Sequence, residues 1–126
     1  MVHDHTILSY QVDFQKDIIA IHTVHEGKEN LEEADIIFNG VFNHFFEHHL
    51  KDSIILDICE SDLSSFIKEN SELILRGQNY GWPTTFNSLD EVEKELVQEG
   101  YKYFILMSSY GMNGWVLAKS YEIITR

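Results

Sequence analysis

Residues 6–14 alternate in polarity, with Leu8, Tyr10, Val12 and Phe14 on one face and Ser9, Gln11 and Asp13 on the other. A period of two belongs to a strand with one buried face. Gln15, Lys16 and Asp17 make a polar turn, and the β-branched run from Ile18 to His25 follows. The two stretches predict an N-terminal hairpin. Residues 26–33 are charged and predict a loop. The next stretch, residues 34–50, carries two patterns at once. Ala34, Ile37, Phe38, Val41, Phe42, Phe45 and Phe46 recur at the three- and four-residue spacing of a helix. Many of the same residues are β-branched or aromatic, and Gly40 lies among them. A glycine costs about 1 kcal/mol inside a helix, whereas in a strand it marks a bulge. The expectation is therefore one long bulged strand, a turn at Lys51 and Asp52, and a further strand over residues 53–59.

The helical signals are clearer. Asp62 is placed to cap a helix whose apolar face carries Leu63, Phe66, Ile67, Leu73 and Ile74, and Gly77 ends it. Ser88 and Glu91 form a capping box for a second helix, with Leu89, Val92, Leu96 and Val97 on its buried face and Gly100 as its stop. In the last stretch Tyr101, Tyr103, Ile105 and Met107 alternate with Lys102, Phe104, Leu106 and Ser108. Asn113 and Gly114 suit a two-residue turn with positive φ, so residues 115–124 are expected to return as the partner strand. Four strands, two helices and a terminal hairpin, in that order, predict an α+β fold: a mainly antiparallel sheet with both helices packed on one face.

Length and composition narrow this picture without changing it. A chain of 126 residues with no Pro/Gly/Ser-rich linker reads as a single α+β domain over 1–126. Its single cysteine, Cys59, excludes an intrachain disulfide and a cysteine-based zinc site. The first residues lack the basic and apolar regions of a signal peptide, and no apolar run approaches the ~20 residues of a membrane span. The cytoplasm is the expected location. Twenty-one acidic residues face nine basic ones, a formal charge of −12. Such a surface repels phosphate backbones and anionic membranes, so neither nucleic acid nor membrane is an expected partner, whereas a basic protein is.

Several residues invite chemical readings. His44, Glu47 and His48 spell H-x-x-E-H, the inverted zinc-peptidase signature, in which two histidines bind zinc and the glutamate is the general base. That chemistry needs a helix, because in a strand Glu47 points away from the two histidines. His49 lies beside this run, and His3 with His5, or His22 with His25, are further donors that could join it, although spacing alone does not show convergence. Cys59 follows an apolar run and reads as a buried small hydrophobe rather than a thiolate. There is no G-x-S-x-G elbow, Walker loop or G-x-G-x-x-G, and no cofactor is implied. Asp57 and Glu60 form a carboxylate pair of the kind that also arises by chance among 21 acids. Two aromatic–glycine loops, residues 78–84 and 109–115, contain Tyr80, Trp82, Tyr110, Asn113 and Trp115. Tyr and Trp are frequent anchors at binding surfaces, and loops are where binding residues usually sit. The plainer reading has Trp82 and Trp115 closing the ends of the core.

The segments Asp35–Val41, Ser53–Ile58, Asn79–Pro83 and Tyr110–Ala118 together resemble a group of short bacterial proteins to which no activity is assigned. The resemblance spans most of the chain and implies no catalytic residues. In size and acidity the chain is also similar to immunity proteins that neutralise bacterial toxins. The leading expectation is a non-enzymatic, immunity-like binding protein with a basic partner. Its alternatives are a metal-dependent hydrolase at His44, Glu47 and His48, and a small-ligand module with a pocket near Trp82 and Trp115.

Overall fold

The computed structural model describes residues 2–27 and 30–126. Among these residues, eight strands and two α-helices follow one another as β1 (Thr6–Asp13), β2 (Ile18–Glu26), β3 (Leu31–Asn39), β4 (Asn43–Glu47), β5 (Ile54–Ser61), α1 (Leu63–Gly77), α2 (Leu89–Gln98), β6 (Lys102–Tyr110), β7 (Asn113–Ala118) and β8 (Ser120–Thr125). All pair antiparallel in one sheet ordered β4-β7-β6-β5-β1-β2-β3-β8. The expected α+β architecture is present, with both helices on one face.

The order conceals a closure. β4 continues β3 after a break at residues 40–42, and β8 continues β7 after Lys119. The two broken ribbons run alongside each other throughout: β3 pairs with β8, and β4 pairs with β7. Across the breaks, Lys119 N–H donates to Asn39 O (3.0 Å) and Phe42 N–H to Leu117 O (2.8 Å). Following neighbours from β1 through β2, the double ribbon, β6 and β5 returns to β1, where Thr6 faces Ile54. The closed sheet encloses one core built by Ile19, Ile21, Ile36, Phe38, Ile55, Phe104, Leu106 and Val116. A second core lies between the helices and the outer face of β6 and β7, where Phe66, Ile74, Val92 and Leu96 meet Tyr103, Trp115 and Leu117.

Three expectations need correction. Residues 34–50 form two strands, not one bulged strand. Gly40 adopts φ 62°, the left-handed region that glycine reaches without strain, and a Cβ there would collide with the Lys119 side chain. The chain turns there, so that β3 and β4 pair with different strands. The charged loop is also shorter than expected, because Leu31, Glu32 and Glu33 already pair with β2. Asn113 and Gly114 are not the turn of the terminal hairpin. The chain reverses at Gly111 (φ 86°), and Gly114 lies inside β7, paired with Leu106 and Phe46. Only Asn113–Ala118 returns along β6; β8 pairs with β3 instead.

The helices start where the capping residues place them. Asp62 accepts from Ser65 N–H (2.7 Å), and Ser88 Oγ accepts from Glu91 N–H (3.3 Å). The Glu91 carboxylate reaches back to Asn87 N–H at 3.2 Å, one residue before the cap itself.

Candidate functional site

The aromatic loops are resolved into an inner and an outer layer on the helix side of the sheet. Trp115, on β7, is only 5% exposed. Its ring packs edge-on against Phe66 (4.9 Å between centroids), with Tyr103 at 6.4 Å, and its N–H donates to Asn70 Oδ1 (3.1 Å). Asn70 leaves helical dihedrals (φ −118°, ψ 15°) in the middle of α1 while its Nδ2 donates to Phe66 O (3.0 Å). A buried indole N–H thus finds its acceptor at a kink in α1. Beside it, the Tyr103 hydroxyl donates to Glu69 Oε2 (3.0 Å); burial, and then the Glu69 carboxylate, push its pKa up to about 12.

Trp82 lies over this inner layer, 5.9 Å from the Trp115 ring. Its backbone N–H donates to Gly77 O (3.0 Å), and its ring covers Gly77 so closely that a Cβ there would fall 2.7 Å from Trp82 Cε3. The short 3-10 turn Gln78–Tyr80 then ends at Gly81 (φ 70°), leaving Tyr80 87% exposed. Phe45, Leu73, Gly77, Tyr80 and Trp82, with His44 and Arg76, line an open groove of about 350 Å³. Burial holds the His44 imidazole below its ordinary pKa, which favours the neutral ring in this apolar setting.

The five residues expected at a binding surface therefore do not form one patch. Tyr80 and Trp82 share the groove, whereas Trp115 is buried behind Trp82 and does not line it. Asn113 and Tyr110 lie at the β6–β7 turn and line none of that groove. Asn113 Oδ1 accepts from Ser108 N–H (2.9 Å) and its Nδ2 donates to Gly111 O (3.1 Å), so its amide builds the turn. Tyr110 is half exposed, opposite Ile54.

The H-x-x-E-H run is not helical. His44 and Glu47 lie on β4, while His48 has left the strand with φ 59°. His44 faces the groove and stacks obliquely on Phe46 (5.3 Å); His49 Nε2 meets the Tyr10 hydroxyl (2.9 Å) instead. The helical geometry that the peptidase chemistry requires is absent from this segment. Cys59 is half exposed rather than buried, but burial and the Asp57 carboxylate beside it raise its thiol pKa, so the thiolate is disfavoured.

Two histidine rows run across β2 and β3, one from β1 and one from the segment before it. One aligns Ser9, His22 and Asp35 in register. Although these are the residue types of a nucleophilic triad, His22 turns Nδ1 to Asp35 (2.6 Å) and Nε2 towards Glu33 (3.8 Å). No hydrogen bond joins it to Ser9 among the described residues. Asp35 also receives Arg126 (2.5 Å), and these partners, His22 first, hold its carboxyl below the ordinary pKa. The row ties Arg126 to the sheet rather than activating a serine. The other row is His5, His25 and Glu32, whose potential ligand atoms all lie within 4.8 Å of one another. Sequence reasoning missed Glu32 because residues 26–33 read as a loop. The available signal was the inward-facing series Ile19, Ile21, Thr23, His25, which turns polar towards one end.

No helix among the described residues is long and apolar enough to cross a membrane. No family model matches the chain, and neither the curated proteins nor the solved structures include one significantly similar to it.

Proposed function

We propose that the chain is a binding protein without catalytic chemistry of its own, and that it takes a basic protein partner on its helix face. The observation that carries this reading is Tyr80, 87% exposed beside the Trp82 groove. An aromatic side chain this exposed contributes little to the core, yet it stands next to an apolar groove. Tyr and Trp in such a position act as interface anchors. The acidic surface supplies the second half of the reading. α2 and its flank carry Asp90, Glu91, Glu93, Glu95 and Glu99 against Lys94 alone, and Glu95 reaches Thr84, next to Pro83. A basic partner would be steered to this face, and the aromatic groove would then supply lasting contact. Neutralisation of a basic toxin domain in the cytoplasm of a bacterium is the setting that accords with the size, charge and sequence resemblance.

The test is affinity capture from a lysate of the source cells, run at low and at high salt. The expected result is a basic protein recovered at low salt, with an association rate that falls as salt rises, because surface charges are screened over ~8 Å at physiological ionic strength. Recovery of no basic protein at low salt contradicts the reading.

A further inference from the structure

We propose that His5, His25 and Glu32 form a binding site for a divalent transition-metal ion of the zinc class, fastening the segment before β1 to β2 and β3. The site is independent of the groove and of the partner it would take.

Its geometry begins with a hydrogen-bond chain. His5 is 2% exposed, and its Nδ1 lies 2.9 Å from Thr23 Oγ1. The Thr23 hydroxyl has one proton, which it donates to Ala34 O at 2.8 Å. Towards His5 it can therefore only accept, so the proton of the neutral imidazole is on Nδ1. Nε2 is left with its lone pair, and that lone pair has no hydrogen-bond donor among the described residues. It faces the Glu32 carboxylate at 3.8 Å, while the His25 ring stacks on His5 with centroids 5.4 Å apart. Two acceptors held against each other in this way call for a cation between them. A metal-binding histidine has its other ring nitrogen fixed by an outer partner, and Thr23 supplies that partner here.

The donors match the cation. Two imidazole nitrogens and one carboxylate oxygen suit zinc, whose bonds to such atoms are about 2.0–2.2 Å. In a tetrahedral site of that size the ligand atoms are roughly 3.4 Å apart. His5 Nε2 and Glu32 Oε1 are already near that spacing at 3.8 Å. The rest of the contraction falls to His25 and Glu32, which are directly opposite each other on β2 and β3 and less buried than His5. Three protein donors leave a coordination position to water.

The experiment uses tag-free full-length protein stripped with chelator, titrated with Zn²⁺ in excess Mg²⁺ so that scattered surface carboxylates are occupied. The expected result is one Zn²⁺ per chain, a higher melting temperature, and Co²⁺ uptake with the visible bands of a four- or five-coordinate ion. His25→Ala and Glu32→Gln are each expected to weaken binding by at least about tenfold, the loss that follows removal of outer partners alone. Glu32→Gln is isosteric and exposed, and an unchanged far-UV spectrum of the stripped variant separates ligand loss from unfolding. His44→Ala with His48→Ala retains the binding. Absence of stoichiometric uptake in Mg²⁺ overturns the proposal. Uptake unaffected by Glu32→Gln, or abolished by the His44 and His48 changes, overturns it equally.

Discussion

Phe38→Ala lowers the stability of the protein by about 3–5 kcal/mol, a large part of the roughly 5–15 kcal/mol available to a domain of this kind. Phe38 is 1% exposed and lies at the middle of the closed sheet, with ring centroids 5.9 Å from Phe104 and 5.7 Å from Tyr121. Its backbone pairs with Ile19 on one side and Tyr121 on the other, so β3 cannot shift to fill the space without breaking two ladders. The cavity therefore stays open, and the lost contacts add to the lost transfer energy. Urea unfolding checks this as a lowered midpoint with an unchanged slope. A loss below about 1 kcal/mol would mean that the closed sheet does not enclose a packed core.

Gly114→Val has a comparable effect by the opposite mechanism. A Cβ at Gly114 would run into Phe45 O and lie 2.8 Å from Phe46 Cα, both on the paired strand β4. Backbone atoms cannot rotate away, so β4 must separate from β7. Overpacking alone costs about 1–3 kcal/mol, and the β4 ladder is lost in addition. β4 forms the end of the sheet order, so its loss is local in the first instance. Hydrogen exchange is expected to show lost protection at the β4 amides that pair with β7, with β2 and β3 still protected. Full protection of β4 in the valine variant would contradict this pairing.

The parts of the fold legible in sequence are those governed by local rules. The β1–β2 hairpin, the Asp62 and Ser88 caps and the Gly100 stop each depend on neighbours within a few residues. The expected buried face of β1 holds only at Tyr10 and Val12: the register shifts between Ile7 and Ser9, and Leu8 and Phe14 are exposed. Asp62 and Ser88 accept the backbone N–H groups that an N-cap residue satisfies. The misread parts depend on distant partners. The break at Gly40 lies against Lys119, whose side chain occupies the space a Cβ would need. Asn113 and Gly114 have the turn dipeptide but sit in a strand. The Asn113 amide bonds to Ser108 and Gly111, and Gly114 gives β4 room to approach.

The candidate site divides in the same way. Tyr80 and Trp82 were legible because an aromatic–glycine loop after a helix is a local feature. Trp115 belongs to the same neighbourhood but is buried, because Asn70, 45 residues away, supplies its hydrogen-bond acceptor. The His5, His25 and Glu32 row was hidden for want of strand register. Thr23, which fixes the His5 tautomer, acquires that role only through Ala34 across β2 and β3.

The most direct measurement of the proposed binding surface compares Tyr80→Ser with Tyr110→Ser, two exposed tyrosines from the two aromatic loops. Each purified variant is titrated against the basic partner captured by the wild-type protein. The account predicts that Tyr80→Ser weakens binding by at least about tenfold, as loss of an anchor residue does, with unchanged melting temperature, while Tyr110→Ser binds as the wild type. Unchanged affinity in Tyr80→Ser, or a loss confined to Tyr110→Ser, would contradict it and move the surface away from the helix face.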